Sequence, residues 1–292
     1  MTVSTCPICG KREFDDVGVV HGTVIQRQFQ LCRCSGCQFV FVSNPWLEYD
    51  FLYSEDYYNG RGADTKLNYV GEVQHPTRTI RRYEWHGVLQ RVSDLTSLSE
   101  RPTWLDYGCG TGGLVTYLRA REVDAFGFEQ GWCEDLLRRS GVPMIRQDEF
   151  ARHAERFDVV SAIEVIEHTT DPVAMLRLIR PLLKPGGLLF ITTGNAQPFH
   201  DRITTWRYVT PDVHISYFEP ATLAMALSSA GFLPSFPGFG PGWEDMIRYK
   251  VLMSMRQKWS SPFEAIVPWR TLTRFIDSRL KLSAQPVGWV KD

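Results

Sequence analysis

The sequence predicts an α/β fold: a mostly parallel sheet of about seven strands with helices on both faces, preceded by a small cysteine-held module. Three observations predict it. Strand-like and helix-like segments alternate from Thr103 onward, the pattern that builds a parallel sheet covered on both sides. One of these strands runs directly into the glycine-rich turn Asp106-Tyr107-Gly108-Cys109-Gly110-Thr111-Gly112. Five of the seven cysteines fall within the first 37 residues.

With 292 residues, 43% of them hydrophobic and 22% charged, the chain can bury one large core plus a small appendage. No stretch approaches the roughly 20 apolar residues that span a bilayer, and Met1-Thr2-Val3-Ser4-Thr5 has neither the basic start nor the apolar centre of a secretion signal. A cytoplasmic protein with no membrane partner is therefore expected. The net charge is −1 with both signs interspersed, so the positive field of a general nucleic-acid binder is missing. Aromatic residues make up 13%, and several sit in loop-like segments such as Trp46-Leu47-Glu48-Tyr49 and Trp206-Arg207-Tyr208, where they line a pocket or pack a core.

The first element, residues 1–45, is expected to be a zinc ribbon. Cys6-Pro7-Ile8-Cys9-Gly10 and Cys34-Ser35-Gly36-Cys37 are two C-x-x-C turns, and in a reducing compartment that spacing argues for metal rather than disulfides. Cys6, Cys9, Cys34 and Cys37 complete the closed S4 set of structural zinc. Cys32 is the alternative to Cys34. Val17–Val20 and Gln26–Leu31 alternate like short strands, and Val40–Asn44 reads as the last strand of the module. Residues 46–100 read as an aromatic linker through Tyr49, Tyr53, Tyr57 and Tyr58, then a helical stretch from Lys66 to Leu98 interrupted at Pro76.

Residues 101–292 form the main domain. Strands are expected at Thr103–Tyr107, Asp124–Glu129, Val142–Ile145, Phe157–Ile163, Gly187–Thr192, Phe232–Phe239 and Pro286–Val290, with helices at Gly113–Arg121, Gly131–Ser140, Pro172–Leu183 and Pro220–Ala230. A helical insertion spans about 244–282, on the apolar spacing of Val251, Leu252, Met255, Ile266, Leu272 and Phe275.

A strand-end carboxylate followed by Gly108-x-Gly110-x-Gly112 puts glycines where the backbone must approach a ligand and turn sharply into a helix. Alone, that turn serves any nucleotide-like ligand, including a dinucleotide with its pyrophosphate at the helix N-terminus. Asp106 ahead of the glycines, Glu129 about 20 residues on, and Asp148 favour S-adenosylmethionine, with Glu129 accepting both ribose hydroxyls. The alternative role for Glu129 is to cap the next helix.

At this point the motifs resemble a known family. Trp104 to Gly112 resembles motif I of class I S-adenosylmethionine-dependent methyltransferases; Phe157 to His168 resembles their fourth strand and its loop; Leu183-Lys184-Pro185-Gly186-Gly187 resembles the turn before the fifth. The resemblance covers roughly Pro102 to Phe239. It implies a Rossmann-like seven-stranded methyltransferase sheet in which Gly108, Gly110 and Gly112 approach the methionine portion, Asp106 orients its amino group, and Gln147 or Asp148 contacts adenine. With Tyr53-Ser54-Glu55-Asp56-Tyr57-Tyr58, the cysteine turns resemble bacterial natural-product methyltransferases that carry a zinc-binding module, including deoxysugar C-methyltransferases. Those enzymes place a Tyr and a Glu just before the histidine matching His214, where this sequence has Pro211, Asp212 and Val213.

Methyl transfer from a sulfonium needs in-line alignment, and a base when the acceptor loses a proton. Two histidines suit that task at neutral pH. His168 follows the fourth strand, and His214 lies between the fifth strand and the next helix, both at the carboxyl edge of the sheet. Either is the expected base, His168 alternatively only ordering its loop. Glu164 is expected at the junction of cofactor and substrate, and Tyr57, Tyr58, His200 and Tyr217 are pocket candidates. Cys109 and Cys133 have no activating partner in sequence, which argues against a nucleophile.

The expected acceptor is a small molecule, a sugar or secondary metabolite methylated on O, C or N, either free or linked to a carrier or nucleotide. The rival is an rRNA or nucleic-acid methyltransferase that reads its substrate through the ribbon. That rival calls for a basic face, whereas Lys11, Arg12, Arg27 and Arg33 are offset by Glu13, Asp15 and Asp16. It also favours an Asn-Pro-Pro-Tyr-like motif where this sequence has Glu164-Val165-Ile166-Glu167. A non-catalytic binding module is the third possibility, and the intact glycine turn with its acids argues against it.

Overall fold

A computed structural model describes residues 3–62, 68–97 and 100–290; Lys66 and Leu98, the ends of the expected helical stretch, lie outside them. The chain begins with β1 (Phe14–His21), β2 (Gln28–Cys34) and β3 (Val40–Val42). Four helices follow: α1 (Tyr49–Leu52), α2 (Glu55–Tyr58), α3 (Tyr69–Gln74) and α4 (Arg81–Leu95), the break between the last two falling at Pro76. Then come β4 (Thr103–Tyr107), α5 (Gly113–Arg119), β5 (Asp124–Phe128), α6 (Trp132–Ser140), β6 (Phe157–Ile163), α7 (Pro172–Ile179) and β7 (Leu183–Thr192). The remainder is β8 (Ser216–Tyr217), α8 (Pro220–Ser229), β9 (Phe232–Ser235), α9 (Trp243–Ser254), α10 (Trp269–Leu280) and β10 (Val287–Val290). None of the described helices is long and apolar enough to cross a membrane.

Local chemistry sets these boundaries. Asp171 accepts the Ala174 N–H at the start of α7 with Pro172 at the first turn, and Glu219 with Thr222 forms a capping box at α8 behind Pro220. Gly141 ends α6 in the left-handed conformation.

The main sheet has six strands in the order β5-β4-β6-β7-β10-β9. The first four are parallel, and β10 runs antiparallel to both β7 and β9. The expected strand Val142–Ile145 is corrected to a single parallel bridge, Met144 to Gly127 beside β5. Pro143 has no N–H to give to a ladder, which limits the pairing. The expected strand through Phe239 stops at Ser235.

Side-chain alternation builds both faces of the core. Along β7, Leu188 and Phe190 pack on one side with Val88, Val92, Leu114 and Trp243, while Leu189 and Ile191 pack on the other with Leu176, Ile179, Leu223 and Leu227. The N-terminal strands make a second sheet, β1-β2-β3-β8, whose last strand comes from beyond β7. Phe39 and Phe41 accordingly bury into the same cluster as Leu105 and Phe218. Order reverses between β5 and β6 on either side of β4, so a crevice opens at the carboxyl ends of these strands.

Candidate functional site

Two sites emerge. In the first, one ligand atom each from Cys6, Cys9, Cys34 and Cys37 lies within 4.8 Å of the others. Cys6 Sγ is 3.5 Å from Cys37 Sγ, and Cys9 Sγ is 3.4 Å from Cys34 Sγ. The two turns match: Gly10 N–H returns to Cys6 O and Gln38 N–H to Cys34 O, and Gly10 and Gln38 both have positive φ. Cys32 stands on β2 outside this group. The hydrogen bond between Cys6 and Cys37 pulls the Cys6 thiol down to about 5 and pushes Cys37 up, and burial raises Cys34; it is the closed set of four converging sulfurs that suits a structural metal.

The second site is a cavity of about 1020 Å³ at the carboxyl ends of β4, β5 and β6. Its floor is the glycine turn. Gly112 opens α5 at φ +77, and a Cβ there would stand 2.8 Å from Leu137 Cδ2, so only glycine fits both conformation and space. Gly110 has nothing closer to a built Cβ than Tyr69 at 3.9 Å, leaving its backbone open to the cavity.

Two acids flank the turn, Asp106 buried and Glu129 half-buried. Asp106, 5% exposed, accepts from Ser161 Oγ at 2.7 Å, and Ser161 in turn accepts from Trp104 Nε1. Glu129 accepts from Gly110 N–H at 2.7 Å and Gln130 N–H at 3.0 Å. Burial lifts each carboxyl to about 7, a state in which a cationic ligand would draw out the proton. Arg81 reaches the same cavity from α4, paired with Glu72 at 3.1 Å and Glu84 at 2.6 Å. Opposite charges on Arg81 and Asp106 thus face one space, the pattern needed to hold the two ends of an amino acid.

The far end of the cavity is a linked polar chain. Glu164 follows β6 directly and sits in the left-handed region, φ +54, a conformation costly for a non-glycine residue. Lys250 from α9 donates to its Oε1 at 2.9 Å, and the Tyr208 hydroxyl donates to Oε2 at 3.0 Å. Burial opposes its ionisation, but Lys250 and Tyr208 outweigh burial and hold Glu164 below the ordinary glutamate value. Tyr208 Oη is also hydrogen-bonded to Glu167 Oε1. Burial, then the charge on Glu164, pushes the Glu167 carboxyl up. Its Oε2 is buried without a partner among the described residues.

The histidines stand beside this chain, their rings 4.9 Å apart. His168 Nδ1 lies 2.9 Å from Val213 O and 2.9 Å from the Tyr53 hydroxyl; His214 Nδ1 lies 2.8 Å from Tyr208 O. A carbonyl only accepts, so each Nδ1 carries a proton, and any proton that an imidazole takes up or gives to a substrate moves at Nε2. Burial, then the neighbouring His214, lowers the pKa of His168 and favours its neutral form. The Tyr208 ring stacks on His214 at 4.2 Å. Glu167, His168 and His214 offer three ligand atoms within 4.8 Å of one another.

Most of the expected residues meet here. Asp106, Gly108, Gly110, Glu129, Gln147, Glu164, His168 and His214 line the cavity, as do Tyr57 and Tyr58; Gly112 lies behind them at the helix start. Asp148, paired to Arg146 at 3.1 Å, lines a smaller hollow of about 280 Å³ that shares Glu129 and Gln147 with the cavity. His200 binds Arg33 and Glu219, and Tyr217 donates to His214 O. Sequence reasoning missed Arg81, Lys250, Tyr53 and the role of Tyr208. Trp206-Arg207-Tyr208 stood out as an aromatic loop, but nothing in the order of residues brings Lys250 to Glu164.

A family model described as a methyltransferase domain matches residues 77–233. Among curated proteins, the ubiquinone biosynthesis O-methyltransferase of Marinobacter nauticus is 36% identical over 122 residues, 38% of this chain and 51% of that protein. The Aeromonas salmonicida protein of the same name is 29% identical over 147 residues, 44% of this chain and 62% of its own. The chain therefore spans about half the length of the curated relatives it matches. Among solved structures, a chain from the complex between the Haloferax volcanii Trm112 methyltransferase activator and a methyltransferase has a TM-score of 0.50 at 14% identity. The match covers 85% of this chain and all of that one, and it shows a shared fold. The matched stretch 77–233 holds both acids, the glycine turn and both histidines, but neither the cysteine cluster nor Lys250.

Proposed function

The chain belongs to the methyltransferase domain family, and on that premise we propose that it transfers a methyl group from S-adenosylmethionine to a small-molecule acceptor. The carrying observation is one cavity with two unlike ends: an acid-flanked glycine turn at one, and two imidazoles held through Nδ1 at the other. The residues present fit the cofactor. Asp106 and Arg81 would hold its amino and carboxylate groups, Glu129 its ribose, and Gln147 its base. When bound, S-adenosylmethionine supplies a methyl carbon on a sulfonium. Glu164, fixed by Lys250 and Tyr208, stands where the acceptor would meet it. The acceptor hydroxyl or amine would give its proton to an imidazole Nε2, with His214 as the assigned base and His168 as the group that orders its loop. We assign zinc to the cysteine cluster, as a structural ion closed by four thiolates. Residues 1–45 would then be the zinc ribbon, 46–100 a linker with capping helices, and 101–292 the catalytic unit with its insertion at about 244–282.

The curated relatives are named as ubiquinone biosynthesis O-methyltransferases, which supports an oxygen acceptor on a small molecule. Incubation with labelled S-adenosylmethionine against phenols, nucleotide sugars and rRNA tests this, with Asp106→Ala as the control. His214→Ala is expected to lower kcat about 100-fold or more without changing cofactor affinity. Full activity in that variant would remove His214 as the base, and methylation of rRNA alone would overturn the small-molecule assignment.

A second reading rests on one observation, the three ligand atoms of Glu167, His168 and His214 beside a carboxylate oxygen that has no partner among the described residues. Two imidazoles and a carboxylate suit a divalent cation that orients the acceptor oxygen. Manganese titration followed by electron paramagnetic resonance decides it: saturable binding lost in Glu167→Gln supports the cation, and no binding leaves the histidines as base and orienter.

A further inference from the structure

The loop joining β1 to β2, residues 22–27, links the cysteine module to the cavity. Its tip is held by one carboxylate. Asp212, 1% exposed, accepts from Thr23 N–H at 2.6 Å, Thr23 Oγ1 at 2.9 Å, Ile25 N–H at 2.8 Å and Val24 N–H at 3.4 Å. The approach is close enough that a Cβ on Gly22 would stand 2.5 Å from Asp212 Oδ1. Charge-assisted bonds to several backbone donors fix both partners more firmly than a neutral contact would. On one side of this clamp, Thr210, Val213 and His214 line the cavity, and on the other side so does Thr23. The opposite end of the same hairpin pairs Phe14 with Cys34, a member of the sulfur cluster.

We propose that Asp212 is a positioning residue: it fastens the tip of the cysteine-bound hairpin to the segment carrying His214, so that the N-terminal module walls the acceptor end of the cavity. On this proposal the ribbon acts on acceptor choice, which deepens the methyl-transfer reading above and rests on it. Metal at the cysteine cluster holds the base of the hairpin, Asp212 holds the tip, and His214 is oriented between them. Asp212→Asn keeps the shape but turns one accepting atom into a donor that faces N–H groups.

Hydrogen exchange followed residue by residue tests the clamp without any acceptor. In Asp212→Asn, amides 23–25 and 208–214 are expected to exchange at least tenfold faster. Amides 108–113 should be unchanged, with S-adenosylhomocysteine affinity by calorimetry within twofold. Stripping the cysteine cluster with a mercurial and a chelator should speed exchange at 208–214 in the natural protein but add nothing in Asp212→Asn. Asp212→Glu, which keeps the charge, should recover part of the protection and guards against simple misfolding. Unchanged exchange at 208–214 in both Asp212→Asn and the stripped protein would overturn the proposal. In the acceptor panel, Thr23→Trp should shift the rate ratio between the smallest and largest methylated acceptors at least tenfold, and an unchanged ratio would overturn the wall. If the panel yields no acceptor, the methyl-transfer reading fails, while the exchange results still uphold or overturn the clamp.

Discussion

Replacing Asp106 with Asn should make the cofactor-free protein more stable while removing most of its affinity for S-adenosylmethionine. Asp106 is almost fully buried, and burial raises its carboxyl to about 7 from the ordinary 3.8, with the nearby charge of Glu129 adding to the effect. An acid raised in this way contributes stability that is fully present below its ordinary value and is lost as pH rises through about 7. Counting about 1.4 kcal/mol for each tenfold change in proton affinity, the carboxylate costs the free protein roughly 4 kcal/mol at pH 8 and under about 2 at pH 5. Asn keeps the oxygen that accepts from Ser161 Oγ and carries no charge, so that cost disappears. At about 2–4 °C per kcal/mol for a chain of this size, the variant should melt several degrees above the natural protein, with a clearly larger gain at pH 8 than at pH 5. The same change deletes the partner for the cofactor's amino group, and binding should weaken by at least tenfold. Differential scanning fluorimetry at the two pH values and calorimetric titration of the cofactor measure both halves. A variant less stable than the natural protein at pH 8, or one that binds the cofactor normally, refutes the reasoning.

Other consequences are more local. Lys250→Ala leaves the half-buried Glu164 with one neutral partner and should cost about 1–3 kcal/mol in urea unfolding; in the Lys250→Met, Glu164→Gln double variant, most of that loss should return. Gly112→Ala forces φ +77 and a 2.8 Å contact with Leu137 on a residue with a Cβ, so it should lower stability by about 1–3 kcal/mol and reduce cofactor binding by calorimetry. Cys9→Ser should lower zinc content measured by plasma mass spectrometry well below that of the natural protein, and Cys32→Ser should not, because Cys32 is outside the sulfur group. Cofactor affinity should fall as pH drops through about 7, since Asp106 and Glu129 both take up protons there, and binding at pH 7 should release protons, detectable as a buffer-dependent heat.

The parallel core was legible because its physics is local. Each strand from β4 to β7 reads as a short apolar run bounded by turn residues, and both faces are covered, so the run needs no alternation to be recognised. Pro172 and Pro220 mark helix starts, and Gly231 marks a stop. The Val142–Ile145 segment misled for an equally local reason: its apolar pattern is strand-like, but Pro143 removes a donor where a ladder would need one. The four-stranded N-terminal sheet was only partly visible. Its last strand, β8, is two residues long and comes from more than 170 positions away, and nothing in either segment announces the pairing.

The site divides along the same line. Asp106, the glycines and Glu129 are set by a turn and two adjacent strands, so their spacing along the chain carries their geometry. The acceptor end is assembled from separate loops: Tyr53 reaches His168, Tyr208 reaches Glu164 and Glu167, and Lys250 reaches Glu164 from a helix some 86 positions later. A sequence can nominate His168 and His214 as bases from their place after strands, but whether an imidazole can accept a proton depends on which nitrogen its partners occupy. Here the backbone carbonyls of Val213 and Tyr208 hold Nδ1–H, so proton exchange is confined to Nε2. Those carbonyls belong to the loop that Asp212 ties to the N-terminal hairpin. The proton chemistry of the site is therefore coupled, through backbone geometry, to a module that spacing alone presents as separate.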